Sequence, residues 1–386
     1  MSVSEKDKKY VANTYGRFNV EIEKGKGSLL YDYSGKEYID LGSGIAVSTF
    51  GAADDEWKKA VKKQLSLVQH TSNLYYTKPC TDLAEMLCMR TGMKKVFFSN
   101  SGAEANECAI KVARKYASDK YGDKKNKIIT LTDSFHGRTI TTLSATGQDV
   151  FHKSFGPFTE GFCYCPANDI NELEKMVDDD TCAIMLEIIQ GEGGVRELSR
   201  EFVLAAERLA REKDALLIVD EVQTGNGRTG KLYAYMHYGI MPDVVSTAKG
   251  LAGGLPLGAT LIGERAQNTL DPGSHGSTFG GNPVCAAAAV NVLSRIDDKL
   301  LAEVIEKSEY IKNELTGAKG VKSITGMGLM LGIETEGDAK EIVKKCIERG
   351  VLPLTAKTKV RLLPALNIPF DLLKRATRIL KEVIAE

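Results

Sequence analysis

An acid, a lysine and a serine–glycine turn, far apart in the chain, carry the chemistry this sequence can do. Asp220 closes the run ALLIVD and is followed by Glu221, Val222 and Gln223, so a carboxylate is delivered at the end of an apolar, strand-like segment. Alone, such an acid could bind Mg²⁺, cap the next turn or pair with a protonated ring nitrogen. Lys249 follows the run VVST in the setting STAKGLAGGLP. A lysine picked at random is a solvated surface charge, but small and apolar neighbours desolvate an amine, lower its pKa and favour a Schiff-base nucleophile. Ser101, Gly102 and Ala103 open the stretch SGAEANECAIKVARKY, in which Ser101 followed by Glu104 is a capping-box pattern. The N-terminus of such a helix can hold a phosphate.

Taken together, these pieces suit pyridoxal 5'-phosphate. Its pyridine nitrogen must stay protonated, its aldehyde must be held as an imine, and its phosphate must be anchored. Asp220 would keep the ring cationic and make it an electron sink. Lys249, displaced by a substrate amine, becomes the base that moves a proton between carbon atoms.

Elements must bring these residues to one place. Between about residues 95 and 265, short apolar runs alternate with helical patterns, which predicts βαβ units and a mostly parallel central sheet covered by helices, an α/β fold. The predicted strands are Lys95 to Phe98, Lys127 to Leu131, Cys182 to Ile188, Ala215 to Asp220, Val244 to Thr247 and Ala259 to Ile262. In open α/β sheets ligands sit at the carboxyl ends of the strands. Ala105, Cys108, Ala109, Val112, Ala113 and Tyr116 recur at helical spacing after Ser101, giving that helix an apolar face for the sheet. Strands at Ser28 to Tyr33 and Lys36 to Leu41 near the start, and around Gly326 to Ile333 and Val360 to Leu363 near the end, predict a smaller α+β domain built from both chain ends. The expected division is a large domain over 50–275 and a small one from 1–49 with 276–386.

Composition narrows the partners. The chain has 386 residues, 43% hydrophobic and 26% charged, long enough for a large core. Lys+Arg and Asp+Glu are both 51, so there is no electrostatic footprint for nucleic acid or an anionic membrane. No apolar run approaches the roughly 20 residues of a membrane span, and the charged start lacks a signal-peptide core, so a cytoplasmic protein is expected. The 8 Cys are scattered and read as small buried hydrophobes. Cys163 and Cys165, with Cys182 and His152 elsewhere, lack paired CxxC spacing, and no metal site is expected.

Eight segments in order, GSLLYDYSGKEYIDLGSGIAV, FFSNSGAEANE, SFHGRT, EIIQGEGGV, LLIVDEVQTGNGRTG, PDVVSTAKGLAGGLPLGA, HGSTFGGNP and RLLPALNI, make the chain resemble the class III aminotransferases, which are fold type I PLP-dependent transferases. The resemblance covers nearly the whole chain and is strongest toward the members that act on N-acetylornithine. It implies transfer of the terminal amino group between N2-acetyl-L-ornithine and 2-oxoglutarate, a step of arginine biosynthesis, by a homodimer with shared active sites. It further implies that Ser101, Gly102 and Ala103 bind the phosphate, that Phe135 and Val222 flank the ring, that Glu221 also belongs to the cofactor site, and that Gln223 bonds the phenolic oxygen. Thr278 would reach the phosphate of a neighbouring subunit, with Ser277 near the substrate. Arg138 matches the position that binds the substrate carboxylate. Arg361 matches the one that receives the α-carboxylate of glutamate, with Glu192 as the switch that pairs with it. Tyr15 lies where the family has an aromatic near the substrate entrance. Ile45 stands where enzymes acting on free ornithine tend to carry a tyrosine, which favours an acylated donor.

The sequence departs from its relatives where Ile188 replaces the usual Pro after Glu187, and where Gly51 is followed by AADDE in place of a His-containing turn. A nucleotide-binding dehydrogenase would need a GxGxxG in a βαβ context, and none is present. A catalytically dead relative could lose the lysine, the aspartate or the arginines, and all are present. Within the enzyme class, the alternatives are donors such as ornithine, succinylornithine, 4-aminobutyrate or an acylated lysine precursor, and aminomutase chemistry.

Overall fold

The computed structural model describes residues 1–386. Its centre is a seven-stranded sheet in the order Lys95–Ser99, Gly258–Ile262, Val244–Thr247, Leu216–Asp220, Thr181–Leu186, Lys127–Leu131, Phe162–Cys165. The last five of these run parallel to one another. Strands buried on both faces should read as continuous apolar runs, and Leu216–Asp220 and Thr181–Leu186 are buried at every residue.

The sheet is mostly parallel, as expected, with one strand reversed. Gly258–Ile262 runs antiparallel to both its neighbours, Val244–Thr247 and Lys95–Ser99. A parallel crossover takes about a dozen residues or more, whereas residues 248–257 hold only a single turn of 3-10 helix, Lys249–Ala252, before the chain returns. That short return puts Lys249 directly at a strand end. The edge strand Phe162–Cys165, which carries Cys163 and Cys165, was absent from the predicted set.

Gly102–Tyr121 forms the helix that follows the first strand of this sheet. Ser101, in extended conformation, caps it by accepting the Glu104 amide, and Gly122 ends it with φ 78°. Ala105, Cys108, Ala109, Val112, Ala113 and Tyr116 are all buried and pack on one face of the sheet. The expected capping box is modified, because the Glu104 carboxylate takes the amide of Asn100 rather than that of Ser101.

Two smaller four-stranded sheets flank the central one, and the chain ends meet in one of them. In one, Ile22–Lys26, Leu29–Asp32 and Glu37–Asp40 are joined by Val351–Leu352, which pairs parallel with Glu37–Asp40. The other is antiparallel and contains Met330–Thr335 paired with Lys359–Leu362, where Arg361 faces Gly332 in register. A hairpin of Ile189–Gln190 with Arg196–Glu197 carries Glu192 in its loop. The Glu197 carboxylate accepts the Gly326 amide at 2.6 Å, tying that hairpin to the antiparallel sheet. No helix is long and apolar enough to cross a membrane.

Candidate active site

Asp220 ends its strand in register with Ser246 of the neighbouring one, and a buried hydrogen-bond network fixes its carboxylate. The Ser246 hydroxyl donates to Asn106 Oδ1 at 2.5 Å, which turns the Asn106 amide so that Nδ2 donates to Asp220 Oδ2 at 2.7 Å and to the His136 carbonyl at 2.7 Å. His136 Nδ1 donates to the same Asp220 oxygen at 2.8 Å, and its Nε2, also buried, has no partner. Asp220 Oδ1 accepts the Val222 amide at 2.9 Å. Each of these bonds is accepted, the pattern of a carboxylate.

Lys249 stands one strand over in the left-handed region, φ 45°, where a non-glycine residue is strained. Its turn is pinned by Asn226 Nδ2 donating to the Ala248 carbonyl at 3.1 Å and by Thr49 Oγ1 donating to the Gly250 carbonyl at 2.7 Å. Burial lowers the Lys249 amine below its ordinary value, against the opposing pull of the Glu192 and Asp220 carboxylates. The ion pair of the site is Glu192–Arg361, and Lys249 does not belong to it. Its amine is therefore desolvated and uncommitted, the condition of a Schiff-base lysine.

At the helix start, the Glu104 amide is taken by Ser101 Oγ, while those of Gly102 and Ala103 have no acceptor in the chain. Gly102 is required there: a Cβ would lie 2.6 Å from Val222 Cγ1. The helix N-terminus thus sits against the turn that follows Asp220. At Gly191 a Cβ would lie 2.2 Å from Gln223 Oε1, so a larger residue there would displace the Gln223 amide.

Arg361 is 3% exposed. Its Nη1 donates to Glu192 Oε1 at 2.6 Å and to Gln223 Oε1 at 3.1 Å, and Gln223 Nε2 donates to Glu192 at 3.3 Å. Burial works to raise the Glu192 carboxyl, but the Arg361 charge and hydrogen bond outweigh it and hold it below the usual glutamate value. Arg361 Nε is buried without a partner, so the guanidinium has a donor to spare.

The structure gathers most of the residues singled out from the sequence. Asp220, Val222, Gln223, Lys249, Glu192 and Arg361 form one cluster, with Ser101, Gly102 and Ala103 at its edge and half-buried Phe135 beside Glu187. Arg138 is exposed, its guanidinium 5.5 Å from the Phe135 ring centre and 4.1 Å from that of Phe151.

Four residues fall outside this cluster. Glu221 points away into the core, where its carboxylate accepts Thr224 Oγ1 at 2.5 Å and the Tyr235 amide at 2.8 Å. Alternation along an extended chain makes this unavoidable, since successive side chains face opposite ways. Ser277 accepts the Gly280 amide and Asn100 Nδ2, and Thr278 is exposed; both line a surface cavity of about 500 Å³. Tyr15 is 70% exposed with Arg17 over its ring.

Sequence reading missed Asn106, His136 and Glu187. Asn106 had a signal, a polar residue on the buried face of a helix, and Glu187 had the same one as Asp220, an acid ending an apolar run. His136, in SFHGRT, had only its motif.

These residues fit pyridoxal phosphate: unpaired amides suit its phosphate, a desolvated amine its aldehyde, and a triply bonded carboxylate its ring nitrogen.

Comparison with known proteins agrees. The chain is 49% identical over 387 aligned positions to the acetylornithine aminotransferase of Haemophilus ducreyi, covering 100% of this chain and 98% of that one. It is 47% identical to the acetylornithine aminotransferase of Caldanaerobacter subterraneus, with 98% of each covered. Among solved structures, ornithine aminotransferase from Toxoplasma gondii superposes with a TM-score of 0.94 at 32% identity, covering 99% of this chain and 93% of that one. N-acetylornithine aminotransferase from Stenotrophomonas maltophilia superposes with a TM-score of 0.86 at 34% identity, covering 99% and 98%. With the Aminotransferase class-III profile matching residues 10–384, the chain belongs to the class-III aminotransferase family, and its α/β fold is the one these enzymes share.

Proposed function

We propose that this protein is a cytoplasmic acetylornithine aminotransferase of arginine biosynthesis, using pyridoxal 5'-phosphate to move the terminal amino group of N2-acetyl-L-ornithine to 2-oxoglutarate. The observation that carries the reaction type is the uncommitted, desolvated Lys249 one strand from the thrice-bonded Asp220. The donor is supported by full-length identity of 49% and 47% to two acetylornithine aminotransferases.

When bound, pyridoxal phosphate supplies the electron sink for the carbon that loses its proton. Asp220, oriented by Asn106 and His136, would pair with the ring nitrogen. Ser101, Gly102 and Ala103 would hold the phosphate, Phe135 and Val222 would flank the ring, and Gln223 would bond the phenolic oxygen. Lys249 would anchor the cofactor and, when free, carry the proton at its Nζ. Arg361 receives the α-carboxylate of glutamate or 2-oxoglutarate after Glu192 swings away, and is held by Glu192 while the acylated donor is bound. Arg138 and Tyr15 meet the donor's carboxylate end.

Thr278 serves the phosphate site of a second subunit, with Ser277 near the substrate. The protein is then a homodimer, with a large domain over 50–275 and a small one from 1–49 with 276–386.

Purified protein should show near-visible absorbance, and borohydride should fix the cofactor to Lys249. A protein that stays colourless with added pyridoxal phosphate would refute the cofactor. Single-turnover amino transfer compared across N-acetylornithine, ornithine, succinylornithine and 4-aminobutyrate tests the donor. A dedicated acetylornithine enzyme should separate these donors by about 1 to 3 kcal/mol, roughly 10- to 200-fold, and comparable specificity constants for all four would refute it.

A further inference from the structure

Two carboxyl groups enter the site from neighbouring strands, and the chain treats them differently. Asp220 accepts bonds from Asn106, His136 and the Val222 amide. Glu187, immediately after the strand Thr181–Leu186, is 5% exposed and receives one neutral donor, the Phe135 amide, at 3.0 Å on Oε2. It belongs to no ion pair, the Arg361 guanidinium being committed to Glu192 and the Lys249 amine to no carboxylate.

A buried carboxylate with a single neutral hydrogen bond is costly, and the protonated acid is not. Neighbouring charge works the same way. Burial and the charge of Asp220 push the Glu187 carboxyl well above the usual range, Glu192 adds to this, and the Phe135 amide and Lys249 oppose it without prevailing. Where two acids share a site, unequal environments assign them unequal roles.

We infer that Glu187 stands in this site as an uncharged carboxylic acid, a positioning residue that ties down the Phe135 backbone and spares Asp220 and Lys249 a second negative charge. The amide bond holds the 133–138 loop, whose next residue, His136, is itself the donor to Asp220. One acid thus braces the loop that orients the other. The charge state stands on the chain alone, while its use in amino transfer rests on the function proposed above.

The test separates the two. In cofactor-free protein at pH 7, a wild-type-minus-Glu187→Gln infrared difference spectrum should contain the carbonyl band of a protonated carboxylic acid. That band should vanish from the wild type as the pH is raised into the alkaline range. Absence of the band, or the appearance of a carboxylate band in its place, overturns the inference whatever the protein catalyses.

With the cofactor, Glu187→Ala should weaken pyridoxal phosphate binding about tenfold, about 1.4 kcal/mol, because the Phe135 amide is orphaned. Glu187→Gln, whose carbonyl can still accept that amide, should restore affinity to within about threefold of wild type. It should also remove the alkaline limb of the affinity profile that ionisation of Glu187 produces in the wild type. A Gln variant that folds, by near-ultraviolet circular dichroism, yet binds as poorly as the Ala variant overturns the inference. Should the Gln variant not fold, the same infrared difference spectrum taken against Glu187→Ala decides.

Discussion

Arg361 and Glu192 show how far a single pair of side chains can govern both stability and specificity. Arg361 is almost fully buried, so its removal strands the Glu192 carboxylate without a cation. Breaking one partner of a buried pair costs about 3–5 kcal/mol; Glu192 keeps 31% exposure, so the lower end is expected. Arg361→Ala should therefore lower stability by about 3 kcal/mol in urea unfolding. Its KM for glutamate should rise far more than that for N-acetylornithine. Arg361→Lys restores the charge without the planar fork and should recover more of the stability than of the glutamate KM. Equal losses for both substrates would show that Arg361 does not discriminate between them.

Elements decide where these side chains arrive, and their junctions are the sensitive points. The contact of the Gly102–Tyr121 helix with the turn after Asp220 leaves no room for a methyl group, since a Cβ at Gly102 would lie 2.6 Å from Val222 Cγ1. Gly102→Ala should cost about 1–3 kcal/mol by overpacking and weaken cofactor binding, measured by equilibrium dialysis; unchanged affinity would place the phosphate elsewhere.

The same turn holds Glu221, whose carboxyl is pushed up to about 7 by burial, against the opposing bonds from Thr224 and the Tyr235 amide. Its folded-state value lies above the unfolded one, so its contribution to stability is complete below the unfolded value near 4.3 and is lost as pH rises toward about 7. Relative to wild type, Glu221→Gln should therefore gain stability between pH 5 and pH 8, by roughly 3 kcal/mol at most. Parallel urea midpoints for the two proteins across that range would contradict this.

For the whole molecule, the face around Thr278 is the one that a second copy must cover if the proposed dimer is right. Leu74 and Tyr76, 86% and 100% exposed, lie in the 65–79 segment, which meets the Thr278 loop through Asn73 Nδ2 donating to the Ser277 and Gly280 carbonyls. The His70 and Phe279 rings lie 5.2 Å apart, tilted by 47°. Large apolar side chains left open together mark an interface. Tyr76→Asp should give monomers by sedimentation and, with Thr278 removed from its partner's site, weaker cofactor binding. A wild type that sediments as a monomer with full activity would refute the shared site.

The sequence alone pointed to the cofactor, because an acid ending ALLIVD, a lysine after VVST and a capped helix start are local signals that survive without neighbours, while the reaction class came from the eight motifs shared with the class III aminotransferases. It also located most of the strands, since buried parallel strands are continuous apolar runs. Direction and partnership were another matter. Gly258–Ile262 carries the same apolar signal in either direction, and only the short 248–257 return reverses it. Asn106, His136 and Ser246 orient Asp220 from three separate segments, and the opposite fates of Glu187 and Asp220, alike as acids after apolar runs, are set by how many donors the fold brings to each. Residue type is a property of the chain, but desolvation and hydrogen-bond supply are properties of what packs around it, and these only the tertiary structure decided.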